Sequence, residues 1–144
     1  MQIWAYLNKD KTMEYVSVFK ALGDETRLRI VNLFVQSGER LCVCEMVDSL
    51  QSPQYTVSKA LGILRNAGVL NSGRQGTWVY NQLNENDEFL KSFFKVLKVH
   101  LASKYLEDLQ RLKKRLFLRE NGVCVVGVAL NEQLENEYQK RQQK

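Results

Sequence analysis

Two cysteines separated by a single residue, Cys42 and Cys44, are the side chains in this sequence best suited to bind a ligand. Thiolates are soft donors, which prefer thiophilic ions over hard ions such as magnesium and calcium. A third cysteine, Cys124, lies near the end of the chain. The alternative is that these cysteines are small buried residues of the core, where free cysteines are common.

The spacing of the cysteine pair sets a condition on the backbone. Residues i and i+2 of an α-helix point about 200° apart, so Cys42 and Cys44 cannot both reach one ion from a helix. In an extended or distorted backbone both thiolates point the same way. A ligand bound to both therefore selects a non-helical start to the following helix, and we expect ligand binding to compete with the intact form of that helix. Oxidation is an alternative signal, although an i,i+2 disulfide is strained.

The composition is that of one small domain. The chain has 144 residues, 44% hydrophobic and 26% charged, with a formal net charge of +5 that favours a polyanionic partner. It contains neither an apolar run long enough to cross a bilayer nor a signal-like N-terminus, which predicts a cytoplasmic protein without membrane contact. His100 is the single histidine, and no paired acid and base, P-loop or nucleophile–histidine pair is present, so we do not expect an enzyme.

Apolar periodicity predicts a mainly α-helical chain with one small β-hairpin, an α+β fold. A short helix, a turn at Pro53, a helix with a polar outer face and a glycine-tipped hairpin follow one another. That order is typical of a winged helix-turn-helix. The predicted helices are Glu14–Leu22, Glu25–Gln36, Val43–Leu50 and Gln54–Asn66, and the predicted strands are Val69–Ser72 and Thr77–Leu83.

The second helix of the pair is narrow enough to enter the major groove of DNA. Small polar and amide side chains on its outer face are candidates for base edges, and arginines at its end and in the hairpin are candidates for phosphates. A merely solvated polar face is the alternative. The predicted DNA-binding residues are Ser52, Gln54, Tyr55, Thr56, Ser58, Lys59, Arg65, Arg74 and Gln75.

Apolar residues at three- and four-residue steps predict one long C-terminal helix over Asp87–Arg119. At 1.5 Å per residue it would be about 50 Å long, so we expect it to be a dimerisation helix that pairs with a second copy of the chain. The alternative is a helix broken in two that folds back on the domain. The residues predicted to form the dimer seam are Leu90, Phe94, Leu97, Leu101, Tyr105 and Leu109.

These elements predict two divisions of the chain. Residues 1–119 form a winged helix-turn-helix domain for DNA binding and dimerisation, and residues 120–144 form a C-terminal extension to which the sequence assigns no role. Within the extension, Val123–Val128 is apolar and favours a strand. Glu132–Lys144 is polar, which is typical of a frayed helix or disorder.

Four segments of the sequence, in order from about Tyr15 to Leu83, resemble the ArsR/SmtB family of metal-sensing repressors. Together they match the opening signature, the metal box, the recognition helix with its exit, and the wing of that family. The segments are Phe19–Ile30, Leu41–Met46, Tyr55–Leu61 with Leu64, Arg65 and Ala67–Leu70, and Gly73–Tyr80.

The resemblance implies a homodimeric transcriptional repressor that binds an inverted repeat in double-stranded DNA. It further implies that the repressor releases DNA when As(III) or Sb(III) binds Cys42 and Cys44, with Cd, Pb or Zn as other candidates. Val47 stands where arsenic-sensing members have a third cysteine, so the third ligand is Cys124 of the same or partner subunit, a small thiol or water. His100 alone cannot supply the zinc site that other members carry on the last helix, and Ala60 replaces a frequent histidine. The alternative is a winged-helix regulator that responds to redox state, or one without metal sensing.

Overall fold

The computed structural model describes residues 14–129 and 132–143, and residues 1–13, 130, 131 and 144 of the predicted divisions lie outside this range. The described chain forms seven helices and three strands. In chain order the elements are α1 (Tyr15–Leu22), α2 (Glu25–Ser37), β1 (Leu41–Cys42), α3 (Val43–Leu50), α4 (Gln54–Asn66), β2 (Leu70–Gln75), β3 (Trp78–Leu83), α5 (Glu88–His100), α6 (Leu106–Phe117) and α7 (Glu132–Gln142).

Helices α3 and α4 form the helix pair predicted from the sequence. Gln51 takes a left-handed φ of 52° directly after α3, and Pro53 immediately precedes α4. The apolar face of α4 carries Val57, Leu61 and Leu64, which are fully buried in the core. Because this face points inward, the opposite polar face of α4 is exposed.

The three strands form one antiparallel sheet in the order β1-β3-β2. The hairpin is confirmed, but β2 runs on to Gln75, which pairs with Trp78. Gly76 at the tip has a φ of 62°, which glycine adopts at little cost. Strand β3 is central, and it places Tyr80 opposite Cys42.

The prediction of one long helix over Asp87–Arg119 is wrong. Helix α5 ends at His100, and α6 begins after Tyr105, which has a left-handed φ of 51° and turns the chain. None of the described helices combines the length and apolar character needed to cross a membrane.

Tertiary ion pairs explain why the chain turns back at this point. In α6 the Asp108 carboxylate accepts two hydrogen bonds from the Arg29 guanidinium of α2, both at 2.8 Å. Arg111 donates to the Ser49 carbonyl at the end of α3 at 2.7 Å. These contacts require α6 to lie against α2 and α3, which a continuous helix after α5 could not do.

The predicted dimer seam is divided by the same turn. Leu90 and Phe94 are buried in the core of their own chain, so they do not belong to an exposed stripe. The other four residues of the predicted seam are half-buried, and their role in dimerisation stays a prediction: Leu97, Leu101, Tyr105 and Leu109.

The segment after α6 packs on the helical domain. Glu120 and Val123 form an isolated bridge, and residues 124–129 form no strand, contrary to the β-prone pattern. Leu134 of α7 is buried in a small cluster with Leu118.

Candidate functional site

The three cysteines meet at the start of α3. The Sγ atoms of Cys42 and Cys44 are 3.0 Å apart, and those of Cys44 and Cys124 are 3.4 Å apart. All three thiols are free and buried, and their Sγ atoms lie within 4.8 Å of one another. The structure therefore brings together the three residues that the sequence offered as thiolate ligands.

The backbone at Cys42 explains how an i,i+2 pair converges. Cys42 is the last residue of β1 and has extended dihedrals, φ −92° and ψ 165°, while Cys44 lies in the first turn of α3. Both sulfurs reach one point although α3 is intact from Val43 onwards. The expected competition between ligand binding and the start of this helix is therefore wrong, because the site needs no unwinding.

The N-terminus of α3 is fixed by a buried ion pair. The Glu45 carboxylate accepts the Cys42 backbone N–H at 3.1 Å and two hydrogen bonds from the Arg119 guanidinium, both at 2.7 Å. Glu45 and Arg119 side chains are 1% and 8% exposed. Arg119, which follows α6, thus fixes the Glu45 carboxylate, and this carboxylate in turn holds the backbone N–H of Cys42.

A second ion pair holds the segment that carries Cys124. The Arg115 guanidinium lies 3.0 Å from the Asp48 carboxylate and donates to the carbonyls of Val126 and Gly127. Asp48 accepts the Ala129 N–H through both oxygens, at 2.8 and 2.9 Å. Burial raises the pKa of Asp48 to about 6. These bonds position the loop over α3.

Tyr80 links the same loop to the sheet. Its hydroxyl oxygen accepts the Cys124 backbone N–H at 2.9 Å. The Arg40 guanidinium lies 4.4 Å from the centre of the Tyr80 ring, a cation–π contact. Tyr80 and Trp78 also pack against the cysteines.

Shared hydrogen bonds move the pKa values of two of the thiols in opposite directions. Hydrogen bonds with Cys124 and Cys42, aided by the positive charge of Arg115, lower the pKa of Cys44 well below its ordinary value. Hydrogen bonds with Cys124 and Cys44, together with burial, raise the pKa of Cys42. The site therefore favours one thiolate, at Cys44.

The donor set fits a thiophilic ion. Three sulfurs bound to one ion at about 2.3 Å lie within about 4.6 Å of one another. The three Sγ atoms already lie within 4.8 Å. A site of buried sulfurs suits soft ions and disfavours oxygen-seeking ones.

The candidate DNA-binding residues are mostly exposed. Tyr55 is 77% exposed. Two of the candidates have partners inside the chain: the Ser52 hydroxyl donates to the Leu50 carbonyl at 3.4 Å, and Arg65 donates to the Asn81 side chain at 3.0 Å. The remaining candidates are exposed on α4 and the hairpin tip: Gln54, Thr56, Ser58, Lys59, Arg74 and Gln75.

An exposed aromatic cluster lies between α1 and α5. Phe89 and Phe93 stack with a centroid distance of 5.6 Å, and Phe19 and Tyr15 meet them edge-on. Tyr15 and Phe19 are 47% and 52% exposed. The predicted seam residues are not part of this cluster.

Sequence reasoning missed the residues that frame the cysteines: Glu45, Asp48, Arg115, Arg119 and Tyr80 as a partner of Cys124. One signal was available for Glu45, because an acidic residue three positions after a helix start often caps that helix. The sequence contains no comparable signal for Arg115 and Arg119. They lie more than 60 residues from their carboxylate partners along the chain and become neighbours only because α6 folds back.

Comparisons with known proteins agree with this architecture. A family model described as bacterial regulatory protein, arsR family, matches residues 24–72, which run from the cap of α2 into β2. The solved structure of reduced HlyU from Vibrio cholerae superposes with a TM-score of 0.52 and 24% identity, covering 67% of this chain and 96% of that chain. At this identity the likeness concerns the fold, a winged helix, and confirms that prediction.

Three relatives share sequence with the same region. An uncharacterized HTH-type transcriptional regulator of Methanocaldococcus jannaschii is 42% identical over 69 residues, 48% of this chain and 76% of the relative. The arsenical resistance operon repressor of Escherichia coli is 44% identical over 69 residues, 48% of this chain and 58% of the repressor. A cadmium resistance transcriptional regulatory protein CadC homolog of Staphylococcus aureus is 35% identical over 94 residues, 65% of this chain and 75% of the relative. The chain thus spans between 58% and 76% of the length of these relatives.

Proposed function

The chain belongs to the ArsR/SmtB family of transcriptional regulators, and from this premise we propose that it is a cytoplasmic, homodimeric repressor released from DNA by As(III) or Sb(III). Regulators of this family are DNA-binding transcription factors and not enzymes, which confirms the expectation from the sequence. The three converging thiols at the start of α3 are the observation that carries the proposal of a thiophilic inducer.

Helix α4 is the element proposed to read DNA. Its exposed face offers amide, hydroxyl and ammonium groups of the kind that contact base edges, and Arg74 on the hairpin tip suits a phosphate. The net charge of +5 favours association with a polyanion. We propose that two such helices, one from each subunit, bind the half-sites of an inverted repeat.

The exposed aromatic cluster supports dimerisation. Tyr15 and Phe19 expose about half of their surface beside Phe89 and Phe93. Exposed apolar patches of this kind mark interaction sites. We propose that this surface of α1 and α5 joins the half-buried seam residues in the interface between two copies.

The charges around the cysteines favour a trivalent inducer. Arg115 pairs with Asp48 and Arg119 with Glu45, so two buried cations face two buried carboxylates. Three thiolates and a trivalent ion form a neutral centre, whereas three thiolates and a divalent ion leave one negative charge. Burying an uncompensated charge is costly. As(III) and Sb(III) are therefore proposed ahead of Cd, Pb and Zn.

We propose Cys124 of the same chain as the third ligand, in preference to water or a small thiol. Its Sγ is already 3.4 Å from that of Cys44. Arsenous acid reacting with three thiols forms three As–S bonds and releases three molecules of water. The chain itself supplies the burial and the fixed backbone that hold the sulfurs together.

The test is fluorescence anisotropy of the purified protein on labelled DNA from upstream of its own gene, with a phosphine reductant that does not compete as a thiol. We expect tight binding that arsenite weakens by at least about tenfold, within the coupling range typical of allosteric proteins. A Cys42→Ser, Cys44→Ser double variant should bind DNA like the native chain and show no response to arsenite.

Two outcomes would overturn parts of this proposal. An undiminished arsenite response in the double variant would remove the cysteine mechanism and leave DNA binding intact. Tight DNA binding that persists in the presence of arsenite, antimonite, Cd²⁺, Pb²⁺ and Zn²⁺ would overturn the proposal that a metal or metalloid is the inducer.

A redox sensor is the second candidate, favoured by the 3.4 Å separation of the Cys44 and Cys124 sulfurs. These residues are far apart in sequence, so their disulfide avoids the strain of an i,i+2 bridge. Peroxide would oxidise the two thiols to one disulfide and be reduced to two molecules of water. DNA release by peroxide but not by arsenite, lost in Cys124→Ser, would select this candidate.

A further inference from the structure

Strand β3 carries two adjacent buried polar side chains that point to opposite faces of the sheet. Tyr80 is 4% exposed and Asn81 is 1% exposed. Because successive side chains of a strand alternate, one of these residues faces the cysteine site and the other faces helix α4. Each makes a hydrogen bond on its own side.

On the cysteine side, Tyr80 touches both segments that carry ligands. Its hydroxyl accepts the Cys124 backbone N–H at 2.9 Å, and its backbone lies opposite Cys42 in the sheet. A ligand that draws the three sulfurs to one centre restricts the position of the Cys124 backbone. Any displacement of that backbone must carry the Tyr80 hydroxyl with it or leave a buried N–H without its acceptor.

On the other side, Asn81 touches the helix proposed to read DNA. Its Oδ1 accepts a hydrogen bond from Arg65, in the last turn of α4, at 3.0 Å. Its Nδ2 is buried and has no hydrogen-bond partner among the described residues. A buried donor without a partner is unfavourable. A second position of β3 relative to α4, in which the Asn81 Nδ2 gains an acceptor, would therefore be stabilised by that hydrogen bond.

We propose that β3 transmits occupancy of the cysteine site to α4 and the hairpin, with Tyr80 and Asn81 as positioning residues. The proposal rests on the proposed function and adds the route by which the inducer acts. Neither side chain supplies a ligand or a DNA contact. The intact α3 removes unwinding as the route, whereas β3 is bonded to the cysteine loop, to β1 and to α4.

The decisive variant is Tyr80→Phe, which deletes only the hydroxyl. We expect this variant still to bind arsenite. In the absence of arsenite, its affinity for DNA should lie within about threefold of that of the native chain. The ratio of DNA dissociation constants with and without arsenite should fall from at least about tenfold to less than about threefold, given typical coupling. Asn81→Ala should lower the same ratio without changing arsenite affinity, because Asn81 does not touch the sulfurs.

Tyr138→Phe is the matched control. It removes a phenol hydroxyl from α7 that, among the described residues, accepts a hydrogen bond only from the exposed Gln142 side chain, and its coupling ratio should equal that of the native chain. Amide hydrogen exchange of residues 78–83 gives a second readout. Arsenite should change exchange in this strand in the native chain and not in Tyr80→Phe.

The outcomes separate this inference from the function on which it rests. A native coupling ratio in Tyr80→Phe, or arsenite binding with no change of exchange in β3, overturns the route while the repressor remains. A change of exchange in β3 without release of DNA overturns the proposed function and leaves the route. Failure of the native chain to bind arsenite overturns both.

Discussion

The cysteine site lies at the start of α3 and the candidate DNA-binding face lies on the neighbouring α4, but different kinds of interaction hold the two in place. At the cysteine site, Glu45 of α3 pairs with Arg119, which follows α6. Asp48 of α3 pairs with Arg115, which lies within α6. On α4, side chains such as Tyr55 stand in solvent, and their positions follow from the helix alone. The chain buries one site behind ion pairs and leaves the side chains of the other exposed.

This difference matches the proposed tasks of the two sites. Three soft donors must meet at one small ion, so the sulfur positions have to be set by packing before the ligand arrives. Side chains that meet a nucleic acid can adjust their rotamers and bridging waters at the interface. Substitutions around the cysteines should therefore cost stability, and substitutions on α4 should cost affinity for DNA.

The largest expected effect is the loss of a buried ion pair. Arg115→Met leaves the Asp48 carboxylate buried without its cation and removes the bonds to the carbonyls of Val126 and Gly127. We expect the free energy of unfolding to fall by about 3–5 kcal/mol, measured by urea denaturation. The control Lys140→Met breaks an exposed pair with Glu137 and should cost at most about 0.5 kcal/mol. Equal losses in the two variants would show that burial does not set the energetic cost of breaking the Arg115–Asp48 pair.

A smaller effect is expected on the exposed face of α4. Gln54→Ala removes an amide proposed to read a base edge, and the affinity for operator DNA should fall by about 1–3 kcal/mol, with relaxed preference at one base pair. Stability and arsenite affinity should not change, because the Gln54 side chain is exposed. Anisotropy on a panel of operators with single base changes measures the effect, with the exposed Gln110→Ala of α6 as control. An unchanged operator preference would place Gln54 outside the interface.

The same contrast explains what the sequence predicted and what it did not. The buried face of α4 and the hairpin follow from local periodicity and from a glycine at the tip, and both were predicted from local sequence. The break of the long helix depends on Tyr105 in a left-handed conformation and on Asp108 meeting Arg29, a residue far earlier in the chain. The spacing of apolar residues contains no information about the Asp108–Arg29 ion pair, so the periodicity alone predicts a single helix.

The cysteine site shows the same limit at finer scale. Cys42 and Cys44 stand out by their spacing, and the extended backbone at Cys42 is a condition that the spacing itself imposes on a shared ligand. Cys124 could be named as a candidate but not placed, because its position depends on the loop held by Arg115 and Asp48. The short-range parts of the site were predictable, and the long-range parts required the fold.

The smallest effect concerns selectivity between inducers, and it tests the charge balance of the cysteine site directly. Asp48→Asn keeps the size of the side chain and one acceptor for the Ala129 N–H, but it removes one of the two buried negative charges. The remaining excess of positive charge should favour a centre of three thiolates and a divalent ion, which carries one negative charge, over the neutral centre formed with As(III). We expect the ratio of Cd²⁺ to arsenite affinity to rise about tenfold, equivalent to about 1.4 kcal/mol, in competition titrations followed by thiolate absorption. The exposed Glu85→Gln should leave the ratio unchanged. A ratio in Asp48→Asn equal to that of the native chain would show that the sulfur geometry, and not the surrounding charge, sets the preference for trivalent ions.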